Sequence, residues 1–487
     1  MHLRTSPAFA LLAGAAIVFG ACSSGATPSP SAAPASAPPA ASPSAAPASA
    51  PPAASPSASA SASSSASALP VVSPAPSAAL AAAASFAATL GHIGGSVSVL
   101  AVWGGSEQVQ FLNMIKPFED ATGITVNYTG TRDEPAVLTT GIASGQLPDI
   151  AGLPGPAQMI QYAQAGKLVD LSTLLDIPTY KAQTPPGLVS LGTVNGKLVG
   201  VFLDVSAKGQ IWYDPKVTGD LSTSPPATWT DFQNLITQDK SKAQAPWCFS
   251  VESGAASGWP ATDVVESFVL HEQGPDYYNN WWAGKVKWTD PGILKAWQDL
   301  GTMVSQSYGG ANRILTTNFA NAGDPLFATP PGCLFLHQAS FITGLGAFAT
   351  AQRGVDYNFF PFPAINPQYA SSVEIAGDLF GAFHNTPQAA ALMKYLVSGQ
   401  AQTLFVAGGE FLSANKQVQN YPNSMNQRLG AIAAGSASSV FDASDQMPTP
   451  MQTAFYSGLL QYIQHPDQLS SILSNLDSVQ ASAYTSH

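Results

Sequence analysis

The chain has 487 residues with 40 Pro and 42 Gly, and only 10% of it is charged, far below the share usual in soluble proteins. Apart from Arg4, no Lys, Arg, Asp or Glu occurs before Glu107, so a nearly uncharged leader precedes a long, ordinary globular sequence. The net charge of −11 excludes a phosphate-binding nucleic-acid surface, which needs clustered Lys and Arg, and no run of 18 apolar residues is available to span a membrane.

The leader reads as an address. Arg4 is followed by the apolar stretch Ala8 to Phe19, the length of a signal-peptide core, and residues 1–21 are expected to be removed. The sequence Phe19-Gly20-Ala21-Cys22 resembles a bacterial lipobox, which implies lipid on Cys22 and attachment to the outer face of the cell membrane. Residues 22–93 are then a Ser/Ala/Pro-rich disordered tether in which the unit SAAPASAPPAASP occurs at 31–43 and again at 44–56. Such a segment has nothing to bury, and about 70 residues of polyproline character reach on the order of 200 Å. Ala79 to Leu90 could form a short helix. In an exported protein Cys248 and Cys333 are expected to pair as a disulfide, two buried thiols being the alternative.

Val97 to Trp103 is a β-branched apolar run between glycine pairs and predicts a buried strand, followed by a helix from Ser106 to Ala121 that Gly123 stops. Ile124 to Tyr128 predicts a second strand, Asp133 to Ala143 a helix, and Ile150 to Leu153 a third strand. This alternation predicts a doubly wound α/β domain whose ligand lies beyond the carboxyl ends of the strands. Leu198 to Val205 and Gln210 to Tyr213 read as further strands, and Thr230 as the cap of a helix over 231–236. An aromatic-rich stretch from about 245 to 370 carries six of the nine tryptophans and belongs to a second domain. Helices follow over Pro387 to Val397, Gln400 to Val406 and Pro450 to Ile463.

Several blocks recur together: Gly145 to Ile150 (GQLPDI), Ile211 to Lys216 (IWYDPK), Pro226 to Trp229 (PATW), Ile375 to Asp378 (IAGD), and a late helix pair ending at Gly408-Gly409. In this order they resemble the sugar-binding extracellular solute-binding proteins of bacterial ABC importers, the family related to maltose-binding protein. Trp247 to Glu252 with Gly258-Trp259-Pro260 and Asp263, and Pro331 to Cys333 with Gln338 to Phe341, resemble its α-glucoside-binding branch. The resemblance covers about 95 to 485 and implies an α/β fold of two lobes with hinge crossovers over 94–487. The first lobe would be mainly 94–205 plus a returning segment near 340–400, and the second mainly 215–340 plus the C-terminal helices. It also implies a monomer that carries a di- or oligosaccharide to permease subunits served by a separate ATPase, without chemistry and without a cofactor. Asp214-Pro215 departs from the family, which often has Asn after this Tyr.

A sugar offers C–H faces for aromatic stacking and a rim of hydroxyls for carboxylates and amides. By position, Gly105, Ser106 and Glu107 should line the cleft after the first strand, with Trp103 at the strand end either stacking on a sugar or packing in the core; Glu107 alternatively serves only the helix N-terminus. Asp133 follows the second strand and either binds ligand or caps its helix. Trp259 is the foremost stacking candidate, flanked by Glu252 and Asp263, which serve either as hydroxyl acceptors or only as caps. Gln338 and Phe341 follow the second cysteine, with a core role the alternative for Phe341, and Gly377 and Asp378 lie in the crossover region, where they present backbone and carboxylate to the sugar or serve the hinge alone. Asp149 is expected to tie its own loop rather than touch ligand. The rival class is a secreted glycoside hydrolase, which needs a fixed carboxylate pair. No GxSxG, HExxH or Walker A sequence is present, and the seven His show no metal-ligand spacing.

Overall fold

The computed structural model describes residues 76–434 and 439–485. The expected signal segment, Cys22 and the repeats lie outside these residues. The described residues belong to one compact unit.

The first lobe is built on the strand order Thr125–Gly130, Ser96–Ala101, Ile150–Leu153, Leu379–Ala382, Val201–Phe202. The first three run parallel, as the strand–helix alternation requires, and Leu379–Ala382 joins them antiparallel. Helix Gly105–Thr122 covers this sheet with Phe111, Met114, Ile115 and Phe118, and ends where Gly123 adopts φ 69°. That left-handed geometry is cheap only for glycine.

Helix Ser77–Ala88 is part of this lobe, so the folded body begins some 17 positions before the expected boundary at 93. Ala79, Ala83 and Ala87 fall four apart, on one face, and are buried in the first lobe's core. Their small side chains form a smooth stripe that lets the helix approach Gly105–Thr122 and Gly399–Val406 closely.

The second lobe has the strand order Asn358–Pro361, Gln210–Tyr213, Cys333–Gln338, Ala245–Cys248. Cys248 and Cys333 are disulfide-bonded across two of its strands, with Cα atoms 5.3 Å apart. Trp281, Trp288 and Trp297 are fully buried in this lobe with Phe455, so they are core rather than sugar platforms. The helix expected to start at Thr230 is Trp229–Asp239, capped by Thr228. The Thr228 hydroxyl accepts the Asp231 N–H at 3.1 Å while Asp231 accepts the Thr228 N–H at 3.1 Å, a reciprocal box that selects 228 over 230.

A third sheet joins the lobes: Leu412–Ser413, Asp204–Ala207, Val373–Ala376 and Ser439–Phe441. Its last three strands are the crossovers themselves. The stretch 198–205 is therefore not one strand; the chain leaves the first sheet after Phe202 and enters the hinge sheet at Asp204. The return also comes later than the expected 340. The strand Asn358–Pro361, buried up to Phe360, pairs with Gln210–Tyr213 in the second sheet, and the chain regains the first only at Leu379.

Candidate functional site

The lobes enclose a cavity of about 360 Å³ bounded by the carboxyl ends of the first sheet, the crossovers and the helices of the second lobe. The rims touch. Asp133 Oδ1 accepts the Ala255 N–H at 3.2 Å, and the Thr449 hydroxyl donates to Gln161 at 2.9 Å.

Trp103, Glu107, Trp259, Asp263, Phe341, Gly377 and Asp378 all line this cavity. Trp259 is half-buried, with Phe319 and Phe341 against it at ring-centroid distances of 4.9 and 5.8 Å and the Lys208 ammonium 5.1 Å from its ring. Gly258 sets its direction. At φ 113° a Cβ there would meet the Tyr456 backbone at 2.8 Å, so only glycine lets the helix begin at this point. Glu107, 4% exposed, is paired with Arg132 at 2.6 Å; burial pushes its carboxyl up, against the opposing pull of Arg132.

The structure gives the other expected residues different work. Trp103 is 2% exposed, wedged among Phe111, Phe380, Phe405 and Phe411, so stacking on a sugar is closed to it. Its indole N–H donates to Asp378 at 2.6 Å and orients that carboxyl. Gly105, Ser106, Asp133, Glu252 and Gln338 do not line the cavity. Gly105 opens its helix at φ 57°, and Ser106 donates to the Gly344 carbonyl. Asp133 spans the rim as above. Glu252 accepts the Gly254 N–H and the Asn318 amide, both at 2.8 Å, holding its own loop. The Gln338 side chain accepts the Ala339 N–H at 2.8 Å inside the core. Asp149 ties its loop: it accepts the Ser98 N–H and hydroxyl, each at 2.8 Å.

Beneath Trp259 lies a charged cluster that sequence reading missed. Lys208 Nζ is 2.9 Å from Asp263 and 2.8 Å from Asp442, all three buried. Burial pushes Asp263 up to about 7 although Lys208 opposes it. Burial acts the same way on Asp442, but Lys208 and local hydrogen bonds prevail and hold it below the usual range. Oxygens of Asp263, Glu374 and Asp442 lie within 4.8 Å of one another, a spacing that suits a cation; the Lys208 ammonium already supplies that charge. Glu266 is separate from this contact, accepting the Ala443 and Ser444 N–H groups at 2.8 and 3.1 Å. Arg132, Asp204, Gln158 and Tyr456 also face the cavity. Arg132 sat beside Asp133 in the sequence and was the one of these with a readable signal, its place after the second strand.

The arrangement presents half-buried aromatics, carboxylates and amides in an enclosed space, which is the equipment of a receptor for a polar, many-hydroxyl solute. Comparison with known proteins agrees. Residues 113–429 match the family described as bacterial extracellular solute-binding protein. The osmoprotective compounds-binding protein GgtB of Synechocystis is 32% identical over 75% of this chain and 88% of its own length. The alpha-glucosides-binding periplasmic protein AglE of Rhizobium meliloti is 29% identical over 76% of this chain and 84% of its own. Among solved structures, the solute receptor AcbH, described as preferring galactopyranose, superposes with a TM-score of 0.69 at 18% identity, covering 80% of this chain and all of the other. A chitin oligosaccharide binding protein does so with 0.69 at 19%, covering 80% and 99%. The family is one of transport receptors rather than enzymes, so the hydrolase alternative finds no support. The chain, with its two lobes, three crossovers and enclosed cleft, belongs to the bacterial extracellular solute-binding proteins of ABC sugar transporters and works outside the cytoplasm.

Proposed function

We propose that this receptor captures an α-glucoside di- or oligosaccharide between its lobes and passes it to permease subunits powered by a separate ATPase. It acts as a monomer held at the outer face of the membrane by lipid on Cys22, with residues 22–76 as the spacer. The observation that carries the reading is the composition of the cavity wall: the half-buried Trp259–Phe341 surface faces Glu107, Asp378 and Gly377 across the cleft. An aromatic face takes the C–H side of a sugar ring, and the acids take its hydroxyls. In this reading Trp259 and Phe341 stack, Glu107, Asp263 and Asp378 accept, Gly377 allows close approach, and Arg132 donates. Trp103 serves through Asp378. The similarity to the α-glucoside binder AglE favours this substrate class. Binding would shift an open–closed equilibrium towards the closed form, the state a permease can read.

Thermal-shift titration of the purified protein with trehalose, maltose, sucrose and palatinose, with product analysis of the same mixtures, tests the proposal. A saturable rise in melting temperature with intact sugar is expected. Released monosaccharide, or silence with every sugar, refutes it. Mass analysis of the membrane-bound form for acyl chains on Cys22 tests the anchor.

A further inference from the structure

Two acids from different crossovers meet in the cleft wall. Asp204 opens the first crossover strand and Asp378 follows the second, and backbone and side chain lace them together. The Leu203 N–H donates to the Asp378 carbonyl at 3.2 Å, and the Asp378 N–H donates to Asp204 Oδ1 at 3.1 Å. Gly377 makes the approach possible, since a Cβ there would sit 2.3 Å from the Asp204 carbonyl oxygen. Both carboxyls line the cavity.

Neither acid has a cation of its own among the described residues. Of the charged groups around them, Arg132 is committed to Glu107 at 2.6 Å, and Lys208 to Asp263 and Asp442. Glu134, from the helix after the second strand, is a third acid and is fully buried. Tyr128 donates its hydroxyl to the Trp103 carbonyl at 2.8 Å. Among the described residues, the Trp103 indole N–H on Asp378 Oδ2 is the only side-chain donor to the pair. Nearby, Gln158 lines the same cavity at 6% exposure with its side-chain carbonyl oxygen unpartnered. The Asp204–Asp378 pair and the Gln158 carbonyl oxygen are therefore left with acceptor capacity that a ligand's donors can fill.

We propose that Asp204 and Asp378 hold one proton between them and recognise neighbouring ligand hydroxyls as a single carboxylic acid–carboxylate pair, so that closing of the cleft on a sugar takes up a proton. The proposal rests on the sugar-receptor reading. Two carboxylates enclosed together cannot both stay ionised when the cations that act on Asp378, Arg132 and Lys208, are paired directly with other acids. One protonated member donates and the other accepts, which matches a vicinal diol, where each hydroxyl does both. Because the pair bridges two crossovers, a ligand seated on it holds the hinge strands in the closed register. Burial pushes Asp378 up to about 7 and Asp204 well above the ordinary carboxylate value. In an open, hydrated cleft the acids would titrate near ~4. Closure then takes up a proton between about pH 4 and 7, and affinity falls as pH rises through that window.

The test is calorimetric titration with trehalose, maltose, sucrose and palatinose in turn at pH 5, 6, 7 and 8, in buffers of different ionisation heat, with carboxyl-carbon NMR of the ligand-free protein. Expected are a tenfold or greater loss of affinity from pH 5 to 7.5, proton uptake on binding near pH 6, and an Asp carboxyl titrating near neutrality. In Asp204→Asn all three should disappear, with the pH dependence reduced below twofold; if that variant does not fold, Asp378→Asn is read the same way. Sugar binding with a flat pH profile, or a profile unchanged in Asp204→Asn, overturns the pair and leaves the receptor reading standing. A protein that binds no sugar at any pH overturns the receptor reading, and the pair then stands or falls on the NMR titration and its loss in Asp204→Asn.

Discussion

Replacing Lys208 by Met removes the one cation in a buried group of acids while keeping most of the side-chain volume. Its ammonium lies 2.9 Å from Asp263 and 2.8 Å from Asp442, and its backbone N–H still donates to the Glu374 carbonyl at 3.0 Å. The residue is 7% exposed, so water cannot replace the lost charge. Breaking a buried pair by removing one partner costs about 3–5 kcal/mol. With unfolding entropy near ~2.1 cal/mol/K per residue over roughly 400 residues, the melting temperature should fall by about 4–6 °C. The loss depends on pH, with a sign the structure sets. Lys208 holds Asp442 ionised, and without it burial drives Asp442 and Asp263 to take up protons. An acid whose folded pKa is raised loses stability as pH climbs above its unfolded value near ~4. The gap between wild type and variant should therefore widen from pH 5 to pH 8, measured by urea denaturation at both. A gap below about 1 kcal/mol, or one of equal size at the two pH values, would refute the account of Lys208 as the cluster's counter-charge.

Trp259→Ala should weaken sugar binding tenfold or more, about 1.4 kcal/mol, with unchanged affinity removing Trp259 from the site. Glu134 is fully buried with both carboxyl oxygens unpartnered, and burial pushes it up to about 8. Burial favours its neutral form, so the wild type loses stability between about pH 4.5 and 8, and Glu134→Gln should gain about 3–4 kcal/mol at pH 8 relative to pH 5. Equal urea midpoint shifts at both pH values would contradict that. Replacing Cys248 and Cys333 together by Ser opens a link between residues 85 positions apart and should cost about 4.6 kcal/mol on the chain-entropy relation, read as a lower melting temperature that reductant does not lower further.

What the sequence determined by itself is whatever is carried by short-range pattern. The strand, helix, strand alternation from Val97 to Leu153, the glycine stop at Gly123, and the loop-tying role of Asp149 are all legible in a window of a few residues. Trp259 and Glu107 are legible as cleft residues because each follows a local break in the chain that aims it. Spatial proximity between distant segments leaves no such trace. Asp204 and Asp378 are 174 positions apart, and Lys208, Glu374 and Asp442 come from three separate crossovers. Their meeting is decided by how the hinge strands pair, Ile375 opposite Ala207 and Phe441 opposite Ile375. The same limit left the short helix expected over Ala79 to Leu90 assigned to the tether, because the alanine stripe of Ser77–Ala88 has no visible role until a partner surface is present to bury it. It also left open whether Trp103, Glu252 and Gln338 face the cleft or the fold, because their polar or aromatic chemistry suits a sugar and is taken up by neighbours that only the folded chain supplies.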